Sequence, residues 1–222
     1  MTNPPPFSNA TPAYRDGPPR QVPGFASLHR MTGMLLAEQV PDAGRILVLG
    51  AGGGLEIEAL AAFNPAWRFD GVDPSASMLQ LAAQTTAQLG DRVKLHEGYI
   101  QQAPEGPFDG AVCLLTFHFI AREHRLQTLR EIRARLKPGA PLVLAHISFP
   151  QTEPERSQWI ARHVAFGDTD PANAESARQA IGTRLSILSP DEEEAMLAQA
   201  GFTGTTLFYA GLSFRGWVSY AG

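Results

Sequence analysis

The stretch Ile46-Leu47-Val48-Leu49-Gly50-Ala51-Gly52-Gly53-Gly54-Leu55 constrains the fold more than any other in this 222-residue chain. An apolar run entering a glycine cluster reads as a buried strand. The Ala-, Leu- and Glu-rich segment Leu55–Phe63 behind it reads as a helix stopped by Asn64-Pro65. Strand, loop and helix together aim backbone N–H groups and a helix N-terminus at a ligand, with no Cβ to block its approach. Spacing narrows the ligand. A dinucleotide fingerprint needs glycine at position 55, where Leu55 stands, and a Walker loop needs a terminal Lys that is missing here. The remaining GxGxG pattern suits a nucleoside better than a pyrophosphate. Close helix–sheet packing is the other use of such glycines.

A second element is Phe69-Asp70-Gly71-Val72-Asp73-Pro74, a strand whose tip carries an acid nineteen positions after Gly54. Asp73 there can accept hydrogen bonds from both ribose hydroxyls, or can serve as an ordinary turn aspartate. Around these two, helices are expected over residues 25–40, 75–89 and 122–136, and strands over 67–72, 93–95, 108–115 and 141–147. Strict β/α alternation means right-handed crossovers and a parallel open sheet. After Ser148 the rhythm breaks into two extra helices, 154–166 and 174–186. A helix opened by Ser189-Pro190 follows, then two runs joined at Ala210-Gly211 that must pair antiparallel.

Residues 1–23 hold seven of the chain's 18 prolines and read as a flexible arm, either plainly disordered or else a lid over a site or a contact to a partner subunit in a homodimer. Residues 24–222 read as a single domain with a helical insertion over 150–188. The 18 basic and 22 acidic residues leave a net charge of −4 without a basic run, which argues against direct nucleic-acid or membrane-surface binding. One cysteine, Cys113, excludes an internal disulfide framework and multi-cysteine metal sites. No apolar run reaches the ~20 residues of a membrane helix, and no basic-then-apolar leader is present, so a soluble cytoplasmic protein is expected.

On the glycine loop, the Asp73–Leu79 stretch and Leu136-Lys137-Pro138-Gly139, the chain resembles the class I S-adenosylmethionine-dependent methyltransferases. Residues 46–54, 70–79, 93–104, 108–120 and 136–144 carry the resemblance, which spans roughly 20–220. It implies an α/β fold: an open, mostly parallel seven-stranded Rossmann-like sheet with helices on both faces, an antiparallel C-terminal hairpin and a helical insertion after strand 5. It also implies S-adenosyl-L-methionine as cofactor and S-adenosyl-L-homocysteine as product. Gly50, Ala51 and Gly52 would lie under the methionine part, and Asp73 and Pro74 at the ribose. Tyr99 and Ile100 would line the adenine, and Leu114 would flank the sulfonium. Two positions depart from the family pattern. Val48 and Tyr99 stand where acids are common, so the methionine ammonium and adenine amino group need other partners, such as backbone carbonyls.

A narrower similarity, to carboxy-S-adenosylmethionine synthase-like members of that family, rests on residues 22–25, 31–35, 114–120 and the insertion ending in Ala200-Gly201-Phe202. Those enzymes serve tRNA wobble-uridine modification. By that similarity Arg178 would hold a carboxylate, and Phe25 and Leu114 replace a Tyr and an Asn near the cofactor. The expected function is methyl transfer to a small-molecule acceptor by in-line displacement. The alternatives are a carboxy-S-adenosylmethionine synthase-like enzyme using prephenate, or a non-catalytic cofactor-binding or assembly module.

Methyl transfer asks the protein mainly to orient the acceptor and exclude water, with a base needed only for a protonated acceptor. His118, just after the fourth strand, is the candidate base, and His146 on the fifth strand a candidate substrate residue. His29, His118, His146 and His163 lack i, i+3 or i, i+4 ligand spacing, so no metal is expected. Trp159, His163 and Phe166 could form a lid. No Gly-x-Ser-x-Gly elbow supports serine hydrolysis.

Overall fold

Seven strands pair into one sheet in the order β3-β2-β1-β4-β5-β7-β6. The computed structural model describes residues 12–167 and 169–222. The strands are β1 (Arg45–Leu49), β2 (Arg68–Asp73), β3 (Val93–Glu97), β4 (Gly110–Leu114), β5 (Pro141–Ile147), β6 (Phe202–Gly211) and β7 (Phe214–Ala221). The first five are parallel, and β7 runs antiparallel to both β5 and β6. The central strands β1, β4 and β5 are buried almost throughout, as parallel strands covered on both faces should be.

The helices are α1 (Gly17–Gln21), α2 (Phe25–Ala37), α3 (Leu55–Phe63), α4 (Ala76–Thr85), α5 (Arg122–Ala134), α6 (Glu155–Phe166), α7 (Ala174–Arg184) and α8 (Pro190–Gln199). Alternate residues of β1 feed two cores. Ile46 and Val48 pack with Leu28 and Leu36 of α2 and with Ile57 and Leu60 of α3. Leu47 and Leu49 share the opposite core with Leu129 and Ile132 of α5 and Leu197 of α8. That period of two sets which side chains can reach each face of the sheet.

The chain winds outward from β1 to β3 and then returns to β4 on the other side of β1. The carboxyl ends of β1 and β4 therefore flank the topological switch point, where open α/β sheets bind ligands. Helices α6 and α7 pack on each other, and α1 contacts both α2 and α6.

The boundaries differ locally from those expected. Helix α4 stops at Thr85, and a 3-10 stretch, Ala87–Arg92, follows. The hairpin reverses at Leu212-Ser213, two residues later than expected, with Leu212 at φ +52. Of the proline-rich stretch, residues 1–11 lie outside the described residues. Pro12–Asp16 form a 3-10 turn and Gly17–Gln21 a short helix. Prolines 18 and 19 sit in the first turn of α1, where a missing N–H costs nothing. The Tyr209 hydroxyl donates to the Pro23 carbonyl at 2.6 Å and ties the end of this stretch to β6.

Candidate functional site

The glycine loop closes onto β2 through backbone bonds: the amides of Gly50 and Ala51 both donate to the Val72 carbonyl. Gly50, Gly52 and Gly54 have positive φ, which L side chains rarely adopt. A Cβ on Gly50 would lie 2.1 Å from the Thr116 hydroxyl, so Thr116 and the loop backbone pack without space for one. Thr116 also holds the end of β4 by donating to the Leu114 carbonyl at 3.1 Å. Leu115 between them has φ +56, an uncommon conformation for a side chain of its size.

Asp73 completes the cradle. Its Oδ2 accepts the Gly52 amide at 3.0 Å and its Oδ1 the Ser75 amide at 2.9 Å. Burial pushes this carboxyl up, while the two amides act in the other direction. Ser75 then caps α4 by accepting from the Met78 amide.

Loop, Asp73 and Thr116 form one end of a cavity of about 560 Å³. The other end is built by the insertion and the N-terminal segment. His163 and Val164 of α6, and Ala177, Ile181 and Arg184 of α7, close it from one side; Gly17, Pro18 and Gln21 of α1 close it from another. Tyr14 covers the loop itself: a Cβ on Gly53 would meet its ring at 2.7 Å. The phenol is pushed up to about 12, first by burial and then by Glu56 and Asp73, so it stays a neutral hydrogen-bond donor.

The structure gathers Phe25, Gly50, Gly52, Asp73, Pro74, Leu114 and His118 around this one cavity. Ala51 is fully buried beneath the loop. Four other expected residues sit elsewhere. Tyr99 is 62% exposed, its backbone amide donating to Gln102 Oε1 at 2.8 Å, and Ile100 is buried in the core with Leu49 and Val72. His146 points to the opposite face of β5, with Nε2 3.6 Å from Glu193 and its ring near Trp217. Arg178 pairs with Glu175 on the outside of α7. Arg184 lines the cavity instead, since positions 177, 181 and 184 share a helical face from which 178 is turned by about 100°.

Three imidazoles line the cavity, and each is held neutral. Burial pulls His29 down to about 4; it pulls His163 down as well, with His163 Nδ1 2.7 Å from the Ser213 hydroxyl. His118 is pulled far below its usual range by burial first, then by His146 and Arg125. Its Nδ1 accepts the Ile147 amide at 3.4 Å, which assigns the ring proton to Nε2. In this arrangement His118 Nε2 carries a proton it can donate.

Glu56 in the first turn of α3, Tyr14 and Arg184 were not foreseen in the sequence as site residues. Tyr14 could be suspected as an aromatic in a proline-rich stretch, and Glu56 as an acid on the buried face of an apolar helix.

Residues 47–142 match the family described as a methyltransferase domain. Among curated proteins, the carboxy-S-adenosyl-L-methionine synthase of Dichelobacter nodosus is 26% identical over 205 residues, covering 90% of this chain and 85% of its own length. The synthase of the same name from Pseudomonas putida is 27% identical over 206 residues, covering 88% and 83%. Among solved structures, the S-adenosylmethionine-dependent methyltransferase SibL superposes with a TM-score of 0.61 at 20% identity, over 89% of this chain. The chain spans only 56% of the length of that structure, so the likeness is one of fold.

Proposed function

We propose that this chain, which belongs among the class I S-adenosylmethionine-dependent methyltransferase-like proteins, moves a methyl group from S-adenosylmethionine to a small molecule held under α6 and α7. The observation that carries the reading is the continuity of one cavity, which joins the loop–Asp73 cradle to a chamber roofed by the insertion. A roofed chamber of this size suits an acceptor the size of a metabolite better than a polymer.

The residues present fit the cofactor. Gly50 and Gly52 add no side chain of their own to the loop, against which Thr116 and Tyr14 pack, and Asp73 keeps carboxylate lone pairs for ribose hydroxyls beyond the two amides it accepts. Leu114 and Phe25 supply apolar walls between loop and chamber. S-adenosylmethionine, when bound, would supply an electrophilic methyl group whose bond to sulfur breaks as the bond to the acceptor forms in line, with S-adenosylhomocysteine leaving. The protein then has two tasks, orientation and exclusion of water. His118 orients the acceptor by donating from Nε2, and α1, α6 and α7 keep water out.

A second reading, carboxy-S-adenosylmethionine synthase-like chemistry, is favoured by Arg184, a guanidinium at the cavity wall able to pair with a carboxylate. Curated relatives of that name match this chain along most of their length. Calorimetry with S-adenosylhomocysteine tests both readings, and absence of binding at about 100 μM overturns them together. Mass spectrometry of nucleosides carried through purification separates them. The methylated sulfonium or its thioether product supports methyl transfer, and a carboxylated sulfonium supports the second reading.

A further inference from the structure

The acid absent from position 48 has a counterpart one turn further on. Val48 and the first turn of α3 lie on the same side of the sheet, and Glu56 of that turn lines the cavity together with Gly52, Asp73 and Tyr14. The residue is 9% exposed, and its Oε1 has no hydrogen-bond partner among the described residues. A buried carboxyl oxygen left without a partner is costly, and calls for a water, an ion or a ligand group to complete it. No Lys or Arg lines this end of the cavity, since Arg184 belongs to the insertion at the other end. A cationic ligand group is thus the complement the site lacks.

We propose that Glu56 receives the α-ammonium of the cofactor's methionine portion, taking the place of the acid that Val48 cannot supply. The inference rests on the cofactor reading above. It explains how a loop without an acid before it can still anchor an amino-acid tail. Burial holds the free carboxyl well above its usual range; Asp73 adds to that, while the amides of Glu56 itself and Leu114 oppose it. The other titratable groups facing it are Tyr14 from the N-terminal turn and Cys113 from β4, neither of which carries positive charge. An arriving ammonium stabilises the ionised form, so binding is coupled to release of the Glu56 proton.

Calorimetry with two thioether probes tests this. S-adenosylhomocysteine has the ammonium; 5′-methylthioadenosine has the same adenine, ribose and sulfur without the amino-acid portion. Glu56→Gln should weaken S-adenosylhomocysteine about tenfold to a hundredfold, as loss of a charge-assisted bond does, and leave 5′-methylthioadenosine within about twofold. The wild-type preference for S-adenosylhomocysteine should also grow with rising pH, and the variant's should not. Unchanged S-adenosylhomocysteine affinity, or equal weakening of both probes, overturns the proposal and assigns Glu56 a packing role. Failure of the wild-type protein to bind either probe overturns the cofactor reading itself, a result distinct from both.

Discussion

Asp73 accepts the Gly52 amide at 3.0 Å, and through that single bond the tip of β2 fixes the crest of the glycine loop. The same carboxylate holds the Ser75 amide at the start of α4, so one side chain joins three elements around the cradle. Its geometry ties the stability of the cradle to the proposed cofactor site.

Replacing Asp73 by Ala should therefore act twice. Two amides lose their acceptor, at a cost of about 1–3 kcal/mol in urea unfolding. S-adenosylhomocysteine affinity should fall about tenfold or more by calorimetry, through loss of charge-assisted bonds to the ribose. Asp73→Asn, which retains a neutral acceptor, should recover part of the stability and little of the affinity. An Asn variant that binds as well as the wild type would remove Asp73 from the ribose.

Gly50 offers a test with an internal control. It has φ +76 and its missing Cβ would meet Thr116 at 2.1 Å, whereas Gly139 has φ +77 with no atom within 4 Å of that position. Both alanine variants bear the left-handed strain of about 1–2 kcal/mol, and only Gly50→Ala adds a collision with Thr116. Gly50→Ala should be the less stable of the pair in urea unfolding, and only it should lose S-adenosylhomocysteine binding. Equal stability would mean that Thr116 yields freely.

Those two positions belong to the part of the molecule that sequence reading reached. Glycine spacing, the Asp73-Pro74 turn and β/α alternation are local signals, fixed by backbone conformation within a few residues, and the sheet's mostly parallel order follows from them. The chamber was harder to foresee because its walls come from segments distant in sequence. Arg178 and Arg184 are both basic residues of α7, and only the helix's rotation against α6 decides which one meets the cavity. His146 and His118 both lie at the carboxyl edge, yet the pleat sends His146 toward Trp217 and Glu193. Tyr14 lay hidden in a stretch expected to be an arm, since short helices led by prolines carry no periodic signature.

Tyr14 covers the loop at Gly53 and has its hydroxyl close to Gly52. A side chain resting there should hold a bound nucleoside in place more than it steers entry. Tyr14→Ala is expected to raise the dissociation rate of S-adenosylhomocysteine about tenfold, with the association rate little changed, as most affinity changes within one site fall on dissociation. Tyr14→Phe should lie between the two proteins if the hydroxyl contributes. Surface plasmon resonance separates the rates; an effect confined to association would make Tyr14 a gate at the entrance.

His29 links the chamber to pH. Burial lowers its pKa from 6.5 to about 4, so the unfolded chain takes up its proton first as pH falls. The sign follows directly: His29 costs no stability above about 6.5, and destabilises the fold progressively between about 6.5 and 4, by at most about 3 kcal/mol. Glu56 and Asp73, whose carboxyls are raised by burial, act in the opposite sense as they regain protons. The total profile therefore mixes both signs, and the difference between wild type and His29→Gln isolates the imidazole. Urea unfolding at a series of pH values should give parallel curves above about 7, and a gap that moves in the variant's favour as pH falls to 4. A gap that stays constant across that range would show that His29 keeps an ordinary pKa and that the chamber admits water around it.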